Sequence, residues 1–98
     1  MDVIVRVVIS GRVQGLGYRA WTEDEARERG IAGWVRNRRD GSVEALFAGT
    51  ESDVRAMIEA CRRGPPGARI DAVDQRAGTA GDLALRCGGD DFSVLATV

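Results

Sequence analysis

"VIVRVVISGRVQGLGYRAWTEDEARERG", residues 3–30, passes from an almost unbroken apolar, β-branched segment through a glycine-rich loop into a charged stretch of helix formers. The first part, residues 3–9, reads as a strand in the middle of a sheet. The last part predicts a helix from about Tyr18 to Arg29 that turns Tyr18, Trp21 and Ala26 towards that sheet and ends at Gly30. Between them, "GRVQGLGYR", residues 11–19, places the cation Arg19 where exposed N–H groups and the macrodipole already make a helix end positive. A bound anion would remove that conflict.

Working outward, residues 31–37 and 42–48 flank "RRDG" and read as an antiparallel hairpin, with Asp40 and Gly41 supplying the positive backbone angles of a tight turn. Thr50 and Asp53 have capping-box spacing, although with Asp in place of the preferred Glu. Val54, Met57, Ile58 and Cys61 follow at helical intervals, so a second helix buries Cys61 in the core. "GPPG", residues 64–67, stops that helix. Residues 70–75 follow as a strand of weak alternation, with Ile70, Ala72 and Asp74 on one side. Residues 78–91 read mostly as loop with a short strand at 83–86, and residues 92–97 as a closing strand. The order β-α-β-β-α-β plus a short terminal strand is the split βαβ pattern of the ferredoxin-like α+β fold, with two helices on one face of an antiparallel sheet. One domain, residues 1–98, is expected from the length. Such folds host many activities, so function has to come from residues.

Composition removes several devices at once. All 14 basic residues are arginine, and the chain has no lysine and no histidine. Schiff-base lysine, a histidine general base and histidine metal ligation are therefore excluded. A net charge of -1 lacks the usual footprint of a nucleic-acid binder. An RNA-binding sheet would need exposed aromatics on two central strands, and residues 3–9 contain none. The opening "MDVIVRVVIS" is too short and too interrupted by Asp2 and Arg6 for a signal peptide or a spanning helix, so a cytoplasmic protein without a membrane partner is expected. Cys61 and Cys87 have neither CxxC spacing nor His partners, which indicates no zinc or redox motif and leaves one disulfide open.

Two phosphate motifs can be tried on the glycine loop. The Walker pattern needs a lysine. Gly15, Gly17 and Ala20 match G-x-G-x-x-A, but 98 residues cannot hold a doubly wound dinucleotide fold. What remains is a loop whose N–H groups turn inward at a helix N-terminus, with Arg19 adding a planar donor fork for an anion. The same residues also describe a tight connection with Arg19 solvated on the surface. Asn37 is the second candidate: its amide can orient a water while uncharged, or simply bond its own backbone in the turn. Asp40 and Glu44 read as turn and exposed-strand residues, Trp34 and Phe47 as core. Arg36, Arg38 and Arg39 read as a solvated hairpin face able to steer anions.

"GRVQGLGYR" at 11–19 and "GWVRNRRDGSVE" at 33–44 resemble the two signatures of the acylphosphatase family, G-R-V-Q-G-V-x-F-R and G-W-V-x-N-x-x-D-G-x-V-E, in order and separation. Leu16 replaces the usual Val and Tyr18 the usual Phe, both keeping apolar bulk. The likeness continues through residues 46–49, the helix with Cys61 and "GPPGARIDAV", and weakens over residues 78–91. It implies the ferredoxin-like fold and hydrolysis of a carboxylic-phosphoric mixed anhydride, such as acetyl phosphate, to a carboxylate and inorganic phosphate. It implies that Arg19 and the N–H groups of Gln14, Gly15, Leu16, Gly17, Tyr18 and Arg19 hold the phosphoryl group. Arg19 and Asn37 are then the catalytic positions, Asn37 placing the attacking water. No metal and no organic cofactor are implied, and a monomer is expected. The alternative is a module that binds phosphate or carbamoyl phosphate on the same fold without turnover; the end of the chain at Val98 favours the free enzyme.

Overall fold

The computed structural model describes residues 2–98, leaving Met1, the first residue of the expected domain, outside the description. Strand β1, Asp2–Arg12, pairs antiparallel on both sides, with β3, Val43–Thr50, and with β4, Arg69–Ala77. Its apolar run is continuous because neither edge faces water. Strand β2, Ala32–Asn37, pairs antiparallel with β3, and β5, Phe92–Val94, lies parallel to β2 at the far edge. The resulting order is β4-β1-β3-β2-β5. The ferredoxin-like α+β frame is as expected, but the fifth strand makes the sheet mixed, not wholly antiparallel. It is also shorter than expected, because only Phe92 and Ser93 are buried within it. Phe92 is held there by stacking on Phe47, with ring centroids 6.3 Å apart, and by the Arg27 guanidinium donating to its carbonyl.

Helix α1, Tyr18–Glu28, and helix α2, Glu51–Arg63, cover one face. Alternation along the strands sends Val7, Ile9, Val35, Val43, Ala45 and Phe47 into the core, where they meet Tyr18 and Ala26 of α1 and Val54, Met57, Ile58 and Cys61 of α2. The start of α2 is set locally: the Thr50 hydroxyl accepts from the Asp53 amide at 3.2 Å. Glu51 and Asp53 in its first turn and Arg62 and Arg63 in its last complement the macrodipole.

The opposite face is partly covered by the segment after β4, where the structure departs from the expected loop and strand. Residues 83–86 form no strand. Instead a short helix α3, Ala80–Leu83, begins with a reciprocal capping box in which Thr79 and Asp82 satisfy each other's backbone amides. The indole of Trp34 donates to the Asp82 carbonyl at 2.8 Å, and Gly78 lets the chain pass against Ile4 and Leu46. Trp34 is thus buried, but on the face away from α1 and α2.

Three further expectations are corrected. Glu44 is not an exposed strand residue: it is 5% exposed, bonds Arg36 Nε at 2.7 Å and lies 3.5 Å from Arg6 Nη1. The hairpin turn takes a positive backbone angle only at Gly41, while Asp40 stabilises it by accepting from both the amide and the hydroxyl of Ser42. The weak alternation of β4 reflects a bulge: Ser10 pairs with Ala72 and Gly11 with Ile70, so Asp71 is passed over and both Ile70 and Val73 reach the core.

Cys61 and Cys87 are both free, the first buried and the second exposed. Burial pushes the Cys61 thiol up to about 12, partly opposed by the neighbouring Tyr18 hydroxyl. Because the folded value is raised, the neutral thiol's contribution to stability is complete below the ordinary thiol range and is lost as pH rises towards that value. A thiol alkylating reagent at pH 8 is expected to modify Cys87 alone in the native protein and both cysteines in denaturant, read by mass spectrometry.

Candidate active site

The loop between β1 and α1 is pinned at both ends. Val13 is 1% exposed and Tyr18 is 2% exposed, so Gln14 to Gly17 must cross the end of the sheet between two buried side chains. Gly15 and Gly17 make that crossing in the left-handed region, at φ 78° and 76°, where a side chain would be strained even though space is open. Gly17 is also the N-cap of α1, and no acidic residue occupies the first turn of that helix. Among the described residues, the backbone N–H groups of Gln14 to Ala20 donate to no carbonyl or side-chain acceptor. Their hydrogen-bonding capacity faces a cavity or solvent.

That cavity has a volume of about 320 Å³ and is bordered by Gln14, Gly15, Gly17, Tyr18 and Arg19 from the loop and helix, with Asn37 from the end of β2. Five of the six expected phosphate-binding positions and Asn37 therefore share one cavity. Leu16 does not border it; its Cδ2 lies beside Gly67 instead. Val13, Ala20, Glu23 and Val94 complete the wall. Val94 was not foreseen, because its place depends on β5 running parallel to β2. Glu23 lies one helical turn beyond Arg19, and its carboxylate is engaged by Arg27 at 3.2 Å. Among the described residues, Arg19 makes no ion pair and neither Arg19 nor Asn37 makes a side-chain hydrogen bond. The turn-residue reading of Asn37, bonding its own backbone, is not what the chain adopts.

The other charged hairpin residues lie elsewhere. Arg36 pairs with Glu44 and stacks over the Trp34 ring at 4.6 Å, on the opposite face. A groove of about 560 Å³ on that face is bordered by Arg6, Arg38, Glu44 and Arg76. Glu44 and Asp40 do not border the cavity that holds Arg19 and Asn37, so neither is placed to act as its base.

A family model described as Acylphosphatase matches residues 5–84. The chain belongs to the acylphosphatase family. It is 57% identical over 95 residues to an acylphosphatase of Bradyrhizobium diazoefficiens, covering 97% of this chain and 96% of that one. Its fold superposes on the crystal structure of acylphosphatase from Bacillus subtilis with a TM-score of 0.82 at 33% identity, covering 97% and 99% of the two chains. The same fold also occurs as a small part of a longer chain: HypF of T. kodakarensis matches with a TM-score of 0.74 and 30% identity, over 96% of this chain and 12% of that one. Acylphosphatases hydrolyse the carboxyl-phosphate anhydride of small acyl phosphates, and this chain is an enzyme of that class.

Where the family usually has Phe, Tyr18 here adds a hydroxyl that donates to the Cys61 carbonyl at 2.7 Å, tying the loop's end to the last turn of α2. Burial raises the phenol well above its ordinary range, so it stays a donor. Tyr18→Phe is expected to lower unfolding free energy by about 1 kcal/mol in a denaturant titration, the size of one buried neutral hydrogen bond.

Proposed function

We propose that the Gln14–Arg19 loop amides and the Arg19 guanidinium hold the phosphoryl group of an acyl phosphate, while Asn37 orients the water that attacks it. One observation carries this reading: among the described residues, the unpaired Arg19 guanidinium, the unpaired Asn37 amide and, Leu16 apart, the loop residues whose backbone N–H groups have no partner all border a single cavity. Each supplies what a phosphoryl dianion and its incoming water need. The planar fork of Arg19 matches two phosphoryl oxygens, and loop N–H groups at a helix N-terminus add donors without further charge.

In the proposed reaction the water oxygen forms a bond to phosphorus as the bond from phosphorus to the acyl oxygen breaks. The carboxylate leaves with the bonding electron pair. As a good leaving group it needs no general acid, which suits a chain without histidine or lysine. The proton of the attacking water passes to a phosphoryl oxygen of the substrate; Glu23, the carboxylate that borders the cavity, is paired with Arg27 through one of its oxygens. Phosphoryl transfer of this kind is catalysed by positioning and charge stabilisation. Metal-independent action by the whole chain as one monomeric cytoplasmic domain completes the reading.

Acetyl or benzoyl phosphate hydrolysis in excess chelator tests it, with inorganic phosphate as a competitive inhibitor. Arg19→Ala is expected to lose turnover by a factor on the order of 10³ or more together with phosphate inhibition, and Arg19→Lys not to restore it. Asn37→Ala should lower kcat while phosphate inhibition is nearly kept; full turnover in that variant would refute the water-orienting role. Glu23→Gln should keep most of its kcat, and a loss as large as that of Asn37→Ala would instead make Glu23 the base.

A further inference from the structure

We propose that the side chain of Gln14 is a positioning residue that sets the distance between the phosphate-binding loop and Asn37. This rests on the functional reading above, in which the backbone N–H of Gln14 belongs to the loop; the side chain does something else. Its amide nitrogen donates to the Arg38 carbonyl at 2.7 Å and to the Ser42 carbonyl at 2.8 Å. Both bonds come from one NH₂ group, so its two hydrogens are both used.

The two acceptors are the carbonyls that close the hairpin turn. The Arg38 carbonyl also accepts from the Gly41 amide at 3.1 Å, and the Ser42 carbonyl accepts from the Arg38 amide at 2.9 Å. Gln14 therefore grips the turn across its narrowest point and locks its two limbs to the loop. Asn37 is the residue immediately before the turn and the last of β2. Its side chain is not held by any hydrogen bond among the described residues, so its position relative to the loop follows from its backbone, which is fixed on one side by pairing with Val43. On the other side the Asn37 carbonyl accepts from the Val98 amide at 3.1 Å. These contacts hold Asn37 within the sheet; the Gln14 bonds tie the adjoining turn directly to the loop that leads into α1 and Arg19.

Consequences differ for binding and turnover. The loop's own shape comes from Gly15, Gly17 and the buried anchors Val13 and Tyr18, none of which needs the Gln14 amide. Phosphate affinity should survive its loss. The distance from phosphorus to the water held by Asn37 should not, and misplacement of about an ångström costs up to a hundredfold in rate. A neutral donor is also required: a carboxylate at this position would face two carbonyl oxygens without a proton to share.

The test is a kinetic double-mutant cycle between Gln14 and Asn37. Gln14→Met, which keeps the length and removes both donors, is expected to lower kcat for benzoyl phosphate about tenfold to a hundredfold while the inhibition constant of inorganic phosphate stays near the parent value. Gln14→Glu should lose at least as much. In the Asn37→Ala background Gln14→Met should have little further effect, because the group it positions is gone. Equal losses in both backgrounds, a loss confined to phosphate affinity, or an unchanged kcat in Gln14→Met would each overturn the proposal. Gln14→Ala repeats the cycle should the Met variant fail to fold, as judged by its circular dichroism. Full turnover in Asn37→Ala alone would refute the functional reading and this proposal together, whereas additive losses refute this proposal and leave the functional reading standing.

Discussion

The burial of Val13 and Tyr18 on either side of the glycine loop is the constraint on which the site depends. With both side chains in the core, the four residues between them have to turn sharply at the end of β1, and the left-handed angles of Gly15 and Gly17 are the means. Because Tyr18 is also the first residue of α1, the loop ends at the helix N-terminus, with Arg19 one residue further on. A cation there is unfavourable for the helix in isolation. It becomes favourable when a phosphoryl dianion occupies the loop, and the absence of a partner for Arg19 among the described residues is consistent with a charge reserved for a ligand.

The second half of the site is brought in by the sheet. β2 ends at Asn37 on the same side as the core residue Val35, so the pleat that buries Val35 also turns Asn37 towards the cavity beside the loop. On the other face the same pleat turns Arg36 towards Glu44 and away from that cavity. A reaction whose leaving group is a carboxylate needs little beyond this: donors for the phosphoryl oxygens and a neutral group to aim a water. The chemistry is thus compatible with a chain that carries neither histidine nor lysine.

What was legible in the sequence was what local physics controls. The apolar run of β1, the Thr50 cap and the helical spacing of Val54, Met57, Ile58 and Cys61 all fold as their patterns dictate, and the two signature segments carried Gln14, Gly15, Gly17, Tyr18, Arg19 and Asn37 of the cavity. What was not legible depended on contacts distant in the chain. The parallel placement of β5 follows from Phe92 finding Phe47, and the burial of Glu44 from two arginines on neighbouring strands. Residues 83–86 have a composition that suits a strand, but the Thr79 and Asp82 capping box and the Trp34 indole bond favour a helix just before them. The side-chain bonds of Gln14 to the hairpin turn belong to the same group: Gln14 could be marked as a loop residue, but its acceptors lie 24 and 28 residues away.

The most direct measurement of the central claim is a ¹H–¹⁵N NMR titration of the protein with inorganic phosphate in chelator. Saturable shifts are expected to concentrate on the backbone amides of Gln14 to Arg19, the Arg19 side-chain Nε–H and the Asn37 side-chain NH₂. Saturable shifts centred instead on Arg6, Arg38 and Arg76 across the sheet, or no shifts in the loop amides, would contradict it.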